Sequence, residues 1–124
     1  MASINLANNK IRSLPEEIFK GLNNLLNIEL HNNQLDSLDN SQFSGLVNLT
    51  SINLANNKLN LLPEDTFKGL KKLNTLNLMG NQLTILHSSL FNDTRNLSTL
   101  NLQRNNLTSL DKNLFTSLTN LTTI

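Results

Sequence analysis

The 124-residue chain has no cysteine, no tryptophan and no tyrosine. Without cysteine there is no disulfide frame, thiolate metal site or thiol nucleophile. Proline occurs twice and glycine four times; the glycines are scattered, so no glycine-rich phosphate loop is expected. Charged residues make up only 15%, against about 25% in ordinary soluble domains. The formal net charge is +1, which speaks against the basic surface that nucleic-acid or anionic-membrane binding requires. No apolar run approaches the roughly 18 residues that span a bilayer, so no direct membrane insertion of this segment is expected. The opening Met1-Ala2-Ser3-Ile4-Asn5-Leu6 lacks the charged and then apolar regions of a signal peptide.

What the chain does have is 29 leucines and 24 asparagines, set in phase. Asparagine recurs at Asn9, Asn33, Asn57, Asn81 and Asn105, always 24 residues apart, and phenylalanine at Phe19, Phe43, Phe67, Phe91 and Phe115. Leucine or isoleucine fills further rows. Ile4, Ile28, Ile52, Leu76, Leu100 and Ile124 form one; Leu6, Leu30, Leu54, Leu78 and Leu102 form another. The row Leu25, Leu49, Leu73, Leu97, Leu121 has Met1 in phase ahead of it, and Thr94 interrupts the row Leu22, Leu46, Leu70, Leu118. Of 41 Leu, Ile and Phe residues, 35 fall in such rows, so the chain is a tandem repeat.

Within a repeat, the two-residue spacing of Ile28 and Leu30 is strand alternation, with Asn27, Glu29 and His31 on the opposite face. One short strand cannot bury its apolar face alone, whereas stacked repeats build a parallel sheet over a continuous core. The phenylalanines then form an internal column on the far wall. The chain leaving each strand exposes N–H and C=O groups inside the coil, and asparagine, both donor and acceptor, can satisfy them. The row Asn9, Asn33, Asn57, Asn81, Asn105 therefore reads as a structural ladder. After Leu14 and Leu62, Pro-Glu-Glu and Pro-Glu-Asp predict short turns or a single helical turn on the outer wall.

The pattern L-x-x-L-x-L-x-x-N-x-L-x-x-L-x-x-x-x-F-x-x-L-x-x resembles the typical 24-residue leucine-rich repeat, as in Toll and Toll-like receptor ectodomains, lamprey variable lymphocyte receptors, Slit proteins and small leucine-rich proteoglycans. The resemblance covers essentially residues 1–124. It implies an α/β solenoid: a right-handed horseshoe with a parallel concave sheet and a mostly irregular or short-helical convex side. It further implies extracellular recognition of a protein ligand, by analogy of fold. The cysteine-bearing caps of those families are absent. The expectation is one solenoid of about five repeats, uncapped at both ends, with exposed core leucines and strand edges at each. Two explanations stand: an internal segment of a longer receptor-like chain, or a module whose ends stack between molecules as a homo-oligomer. Ser3–Lys10 recurs as Ser51–Lys58, which points to duplication, natural or designed.

The outward columns of the strands are Ser3, Asn27, Ser51, Thr75, Thr99; Asn5, Glu29, Asn53, Asn77, Asn101; and Ala7, His31, Ala55, Met79, Gln103, with Arg104 beside them. Small neutral polar residues suit adaptable contacts with a protein, and Met and Arg suit interface contacts. The candidate ligand-binding residues are Asn5, Glu29, His31, Asn53, Asn77, Met79, Asn101, Gln103 and Arg104. Glu29 and His31 offer two metal ligands at most, where zinc takes three or four. Without a convergent nucleophile, base and oxyanion donor, no enzyme activity, cofactor or metal is expected. Leu61 and Ile85 stand where other repeats have Ser13, Ser37 and Ser109; added core burial is the expectation, an exposed apolar patch the alternative. Glycosylation sequons occur at Asn48, Asn92, Asn96, Asn106 and Asn120, while the Asn, Ser and Thr counts alone yield about four by chance.

Overall fold

A computed structural model of the chain describes residues 2–124; Met1, in phase with the Leu25 row, lies outside them. Five three-residue strands form, β1 Ser3–Asn5, β2 Asn27–Glu29, β3 Ser51–Asn53, β4 Thr75–Asn77 and β5 Thr99–Asn101. They lie parallel in the order β1-β2-β3-β4-β5, and every Cα pairing is offset by one period: Ile4 faces Ile28, Ile28 faces Ile52, Ile52 faces Leu76, Leu76 faces Leu100. A single bridge, Thr99 to Thr123, extends this ladder.

The alternation read from the sequence decides which face is buried. Ile28, Ile52, Leu76 and Leu100 have no exposed surface, while their strand neighbours are partly open on the other face. Hydrogen bonding continues past the strands. Leu30 N–H donates to Asn53 O (2.9 Å), Leu54 N–H to Asn77 O (2.8 Å) and Leu78 N–H to Asn101 O (2.8 Å).

Opposite the sheet the phenylalanine rings stack nearly parallel, with centroids 6.1–6.4 Å apart. Hydrogen-bonded strands lie about 4.8 Å apart, so each coil is thicker at the ring side than at the sheet. The stack therefore bends with the sheet on its inner, concave surface.

The outer wall is built from turns, with bonds such as Ile18 N–H to Pro15 O and Lys20 N–H to Glu17 O. Among the described residues no helix forms, so of the irregular and short-helical alternatives the wall is the irregular one. Each outer segment closes too few consecutive turns to reach a stable helix. Thr94, the break in a leucine row, is fully buried; its hydroxyl donates to Phe91 O (3.2 Å).

The asparagine row stitches adjacent coils. Asn57 Nδ2 donates to Leu54 O (3.1 Å) in its own coil and Leu30 O (3.0 Å) in the preceding one. Its Oδ1 accepts Leu35 N–H (3.0 Å). Asn33, Asn81 and Asn105 repeat this set. Asn9 bonds only carbonyls of its own coil, those of Leu6 and Ala7.

Candidate functional site: the concave face

The outward strand residues come together on one continuous surface. In the central column, Asn5, Asn53, Asn77 and Asn101 share a conformation set by the backbone. Each Oδ1 accepts the N–H two residues on, from Ala7, Ala55, Met79 and Gln103, at 3.0–3.1 Å. This is an Asx turn, and it fixes the amide orientation, because only the oxygen can accept a backbone N–H. The oxygen is thereby committed and the Nδ2 group is left as donor. Asn101 Nδ2 makes one long contact, 3.9 Å to Met79 Sδ.

Glu29 interrupts the column. Its Oε2 lies 3.0 Å from His31 Nδ1, each side chain 28% exposed, but His31 Nδ1 carries no hydrogen bond. Negative charge thus sits on the second coil. At the other end, Gln103 and Arg104 are exposed, and Met79 is partly so. Among the described residues Arg104 makes no hydrogen bond or ion pair.

Arg104 also has an unusual backbone. Its column reads Asn8, Asn32, Asn56, Gly80, Arg104, and all five have positive φ, between 56° and 70°. Asn and Gly tolerate this left-handed region; a long unbranched side chain does so at a cost of roughly 1 kcal/mol. The asparagines form a second, exposed ladder, Asn32 Nδ2 to Asn8 Oδ1 (2.7 Å) and Asn56 Nδ2 to Asn32 Oδ1 (2.9 Å). The ladder ends at Gly80, where a Cβ would collide with Asn56 Oδ1.

Other candidates fall elsewhere. Asn92, Asn96, Asn106 and Asn120 are exposed. Asn48 is half-buried, its amide held by Asn23 O and Lys72 Nζ, both at 2.8 Å. Leu61 and Ile85 are 57% and 58% exposed, which corrects the expectation of core burial: their position points off the coil. The buried row on that wall is instead Gln42, Thr66, Leu90 and Leu114. Its polar members are satisfied by backbone carbonyls, Gln42 Nε2 by Pro15 O (3.3 Å) and Thr66 Oγ1 by Pro63 O (2.6 Å).

His87 lies near Ser89 and Glu64, with Nδ1 2.8 Å from Ser89 Oγ and Nε2 3.5 Å from Glu64 Oε2. Nδ1 also accepts Ser89 N–H (3.2 Å). Asp39 and Asp111 do the same in their coils for Ser41 and Asn113. His87 therefore serves as a turn acceptor. Among the described residues no group of three or more His, Cys, Asp or Glu is arranged to hold a metal ion.

The repeat geometry has counterparts among known proteins. A family model for the BspA-type leucine-rich repeat region matches residues 1–124 in six copies. The chain belongs to this leucine-rich repeat family. Its fold superposes on the Toll–Spatzle complex of Drosophila development and innate immunity with a TM-score of 0.94 at 33% identity, covering 98% of this chain and 16% of that one. It also matches the LRIM1/APL1C complex, with a TM-score of 0.90 at 26% identity over 97% of this chain and 22% of the other. The leucine-rich repeat domain of APL1B shares the fold at 24% identity, with a TM-score of 0.89 over 96% of this chain and 35% of that one. The leucine-rich repeat chain thus spans about a sixth to a third of the length of these structures. No curated protein matches it by sequence.

Proposed function

We propose that this leucine-rich repeat solenoid, one unit over residues 1–124, is a non-enzymatic protein-recognition module. Its concave sheet takes a protein ligand, in a setting like that of the Toll-type complexes it resembles: extracellular, as part of an ectodomain. The observation that carries the reading is the Asx-turn column. Four outward asparagines are held by their own backbone turns, and among the described residues their Nδ2 groups make one long contact, Asn101 to Met79 Sδ, so binding need not first order them. Contacts would come from Asn5, Glu29, His31, Asn53, Asn77, Met79, Asn101, Gln103 and Arg104, and glycans would occupy exposed sequons on other surfaces. Footprinting tests this. Peptides selected against the chain from a random display library should protect Thr75, Asn77 and Met79 from hydroxyl radicals. Protection confined to the outer turns would reject it.

A second reading is self-association through the coil ends, favoured by Leu110 and Ile124, which are 51% and 61% exposed. Sedimentation velocity across a concentration series separates the two. Growth abolished by polar replacement of Ile4 and Ile124 supports assembly, and a constant monomer excludes it.

A further inference from the structure

The concave face has a chemical polarity along the stack. On β1 and β2 the central column holds Asn5 and Glu29; on β3, β4 and β5 it holds Asn53, Asn77 and Asn101. Across these last three coils the outward residues are Ser51, Asn53, Ala55, Thr75, Asn77, Met79, Thr99, Asn101 and Gln103, with Arg104 at the edge. No carboxylate lies among them. One lone pair of each asparagine oxygen is taken by its own backbone turn, which orients the amide and leaves the Nδ2 groups as donors, that of Asn101 with one long contact to Met79 Sδ. They stand one strand spacing apart, about 4.8 Å. Arg104 completes the row with a guanidinium that also has no acceptor.

Arg104 is the second, independent observation. It holds φ 56° where every equivalent residue is Asn or Gly. A strained residue at a surface position where an unstrained one is used four times over is the kind of outlier that accompanies binding sites. Arg104 stands at the edge of the donor row on the fifth coil, about 14 Å from Glu29 along the stack by three strand spacings.

We propose that the third to fifth coils bind an acidic segment of the protein partner, one that sets a carboxylate on Arg104 and lays carbonyl or carboxylate oxygens over Asn53, Asn77 and Asn101. This rests on the recognition reading above and names its partner chemistry. A cation beside a row of amide donors, with no carboxylate among them, repels a basic segment and attracts an acidic one, and Glu29 on the second coil disfavours extension of an acidic one beyond β3. The segment is therefore placed as well as recognised.

The test inverts one atom. In Asn77→Asp the carboxylate oxygen can still accept Met79 N–H, while the other oxygen turns a donor into a charged acceptor. Asn24→Asp makes the same charge change in an exposed outer turn of the first coil, away from the concave face. Arg104→Asn removes the charge and installs the residue that three equivalent coils carry at this φ. Display-selected peptides binding the wild-type chain should be enriched in Asp and Glu. Their affinity should fall about tenfold or more in Asn77→Asp and Arg104→Asn, as expected for loss of a charge-assisted hydrogen bond, and stay within about twofold in Asn24→Asp. Circular dichroism verifies that all three variants fold.

A fourth variant, Thr75→Arg, blocks the concave face by bulk. Peptides displaced by Thr75→Arg but indifferent to Asn77→Asp and Arg104→Asn keep the recognition reading and overturn the acidic assignment, as does a basic or neutral consensus. Peptides indifferent to all three substitutions, or no selectable peptide, overturn both.

Discussion

Replacing Asn57 with alanine tests the internal ladder at its most connected point. Asn57 serves four buried backbone groups, counting the longer contact of 3.4 Å to Ala55 O, and they are not equally dependent on it. Leu30 O keeps the amide of Asn33, and Leu54 O keeps that of Asn81. Leu35 N–H has no acceptor but Asn57 Oδ1 among the described residues, and Leu35 is fully buried. An orphaned buried N–H costs about 1–3 kcal/mol, and each weakened carbonyl about 0.5 kcal/mol more, giving about 3 kcal/mol for Asn57→Ala. Asn9→Ala is the control. Asn9 is exposed and accepts no hydrogen bond among the described residues, so its loss should cost under about 1 kcal/mol. Urea titrations give both values by linear extrapolation, with the slopes compared to check that the exposed surface is unchanged. Equal costs within about 0.5 kcal/mol would refute the inter-coil argument, since the bonds to Leu35 N–H and Leu30 O, and the burial that goes with them, are what Asn57 has and Asn9 lacks.

Three further outcomes are expected. Gly80→Ala should cost about 2 kcal/mol in the wild type but about 1 kcal/mol in an Asn56→Ala background, because the Asn56 amide is what the new Cβ meets; a double-mutant cycle without coupling would contradict this. The pair Leu61→Ser and Ile85→Ser should shift unfolding by less than about 0.5 kcal/mol each, and a loss of about 2 kcal/mol would show that the two are buried. Asp39 is held below its ordinary value of 3.8 by the Ser41 backbone N–H and then by the Ser41 hydroxyl. Its folded pKa is the lower one, so its contribution is present above pH 3.8 and fades as pH falls through the folded value. Melting temperatures measured from pH 5 down to pH 2 should decline less in Asp39→Asn than in the wild type, and identical slopes would remove Asp39 from the acid response.

Much of the fold was written in the sequence because a fixed period carries it. Strand, turn and core positions recur every 24 residues, and the apolar rows mark the inner face directly. Features that depend on where a coil wall bends were less legible. Nothing in the residue types says that Leu61 and Ile85 point outward while Gln42 and Thr66 point in; the carbonyls of Pro15 and Pro63 that satisfy those two become neighbours only when the coil closes. His87 stands in a turn where Asp39 and Asp111 do the same work in their coils, an equivalence of acceptors that residue type does not announce. The concave columns could be enumerated from spacing, but the fixed orientation of their amides could not. It arises from the Asx turns, which consume one side of each amide. Arg104 was noticed for its charge, whereas its backbone conformation, the better signal, becomes visible only beside Asn8, Asn32, Asn56 and Gly80.

The ladder bonds join residues 22 and 27 positions apart, while the sheet pairs residues 24 apart. All these links reach only to an adjacent coil. Excising a whole period from the middle, or copying one in, therefore brings equivalent partners back into reach, with side-chain mismatch as the cost. Removing 23 or 25 residues leaves the coils that meet at the junction out of step, so the asparagine there loses its partners. Length in this molecule is thus quantised: it can grow or shrink by recombination in steps of 24 while point insertions into the frame are resisted, and the near-identity of Ser3–Lys10 and Ser51–Lys58 is the trace such an exchange leaves.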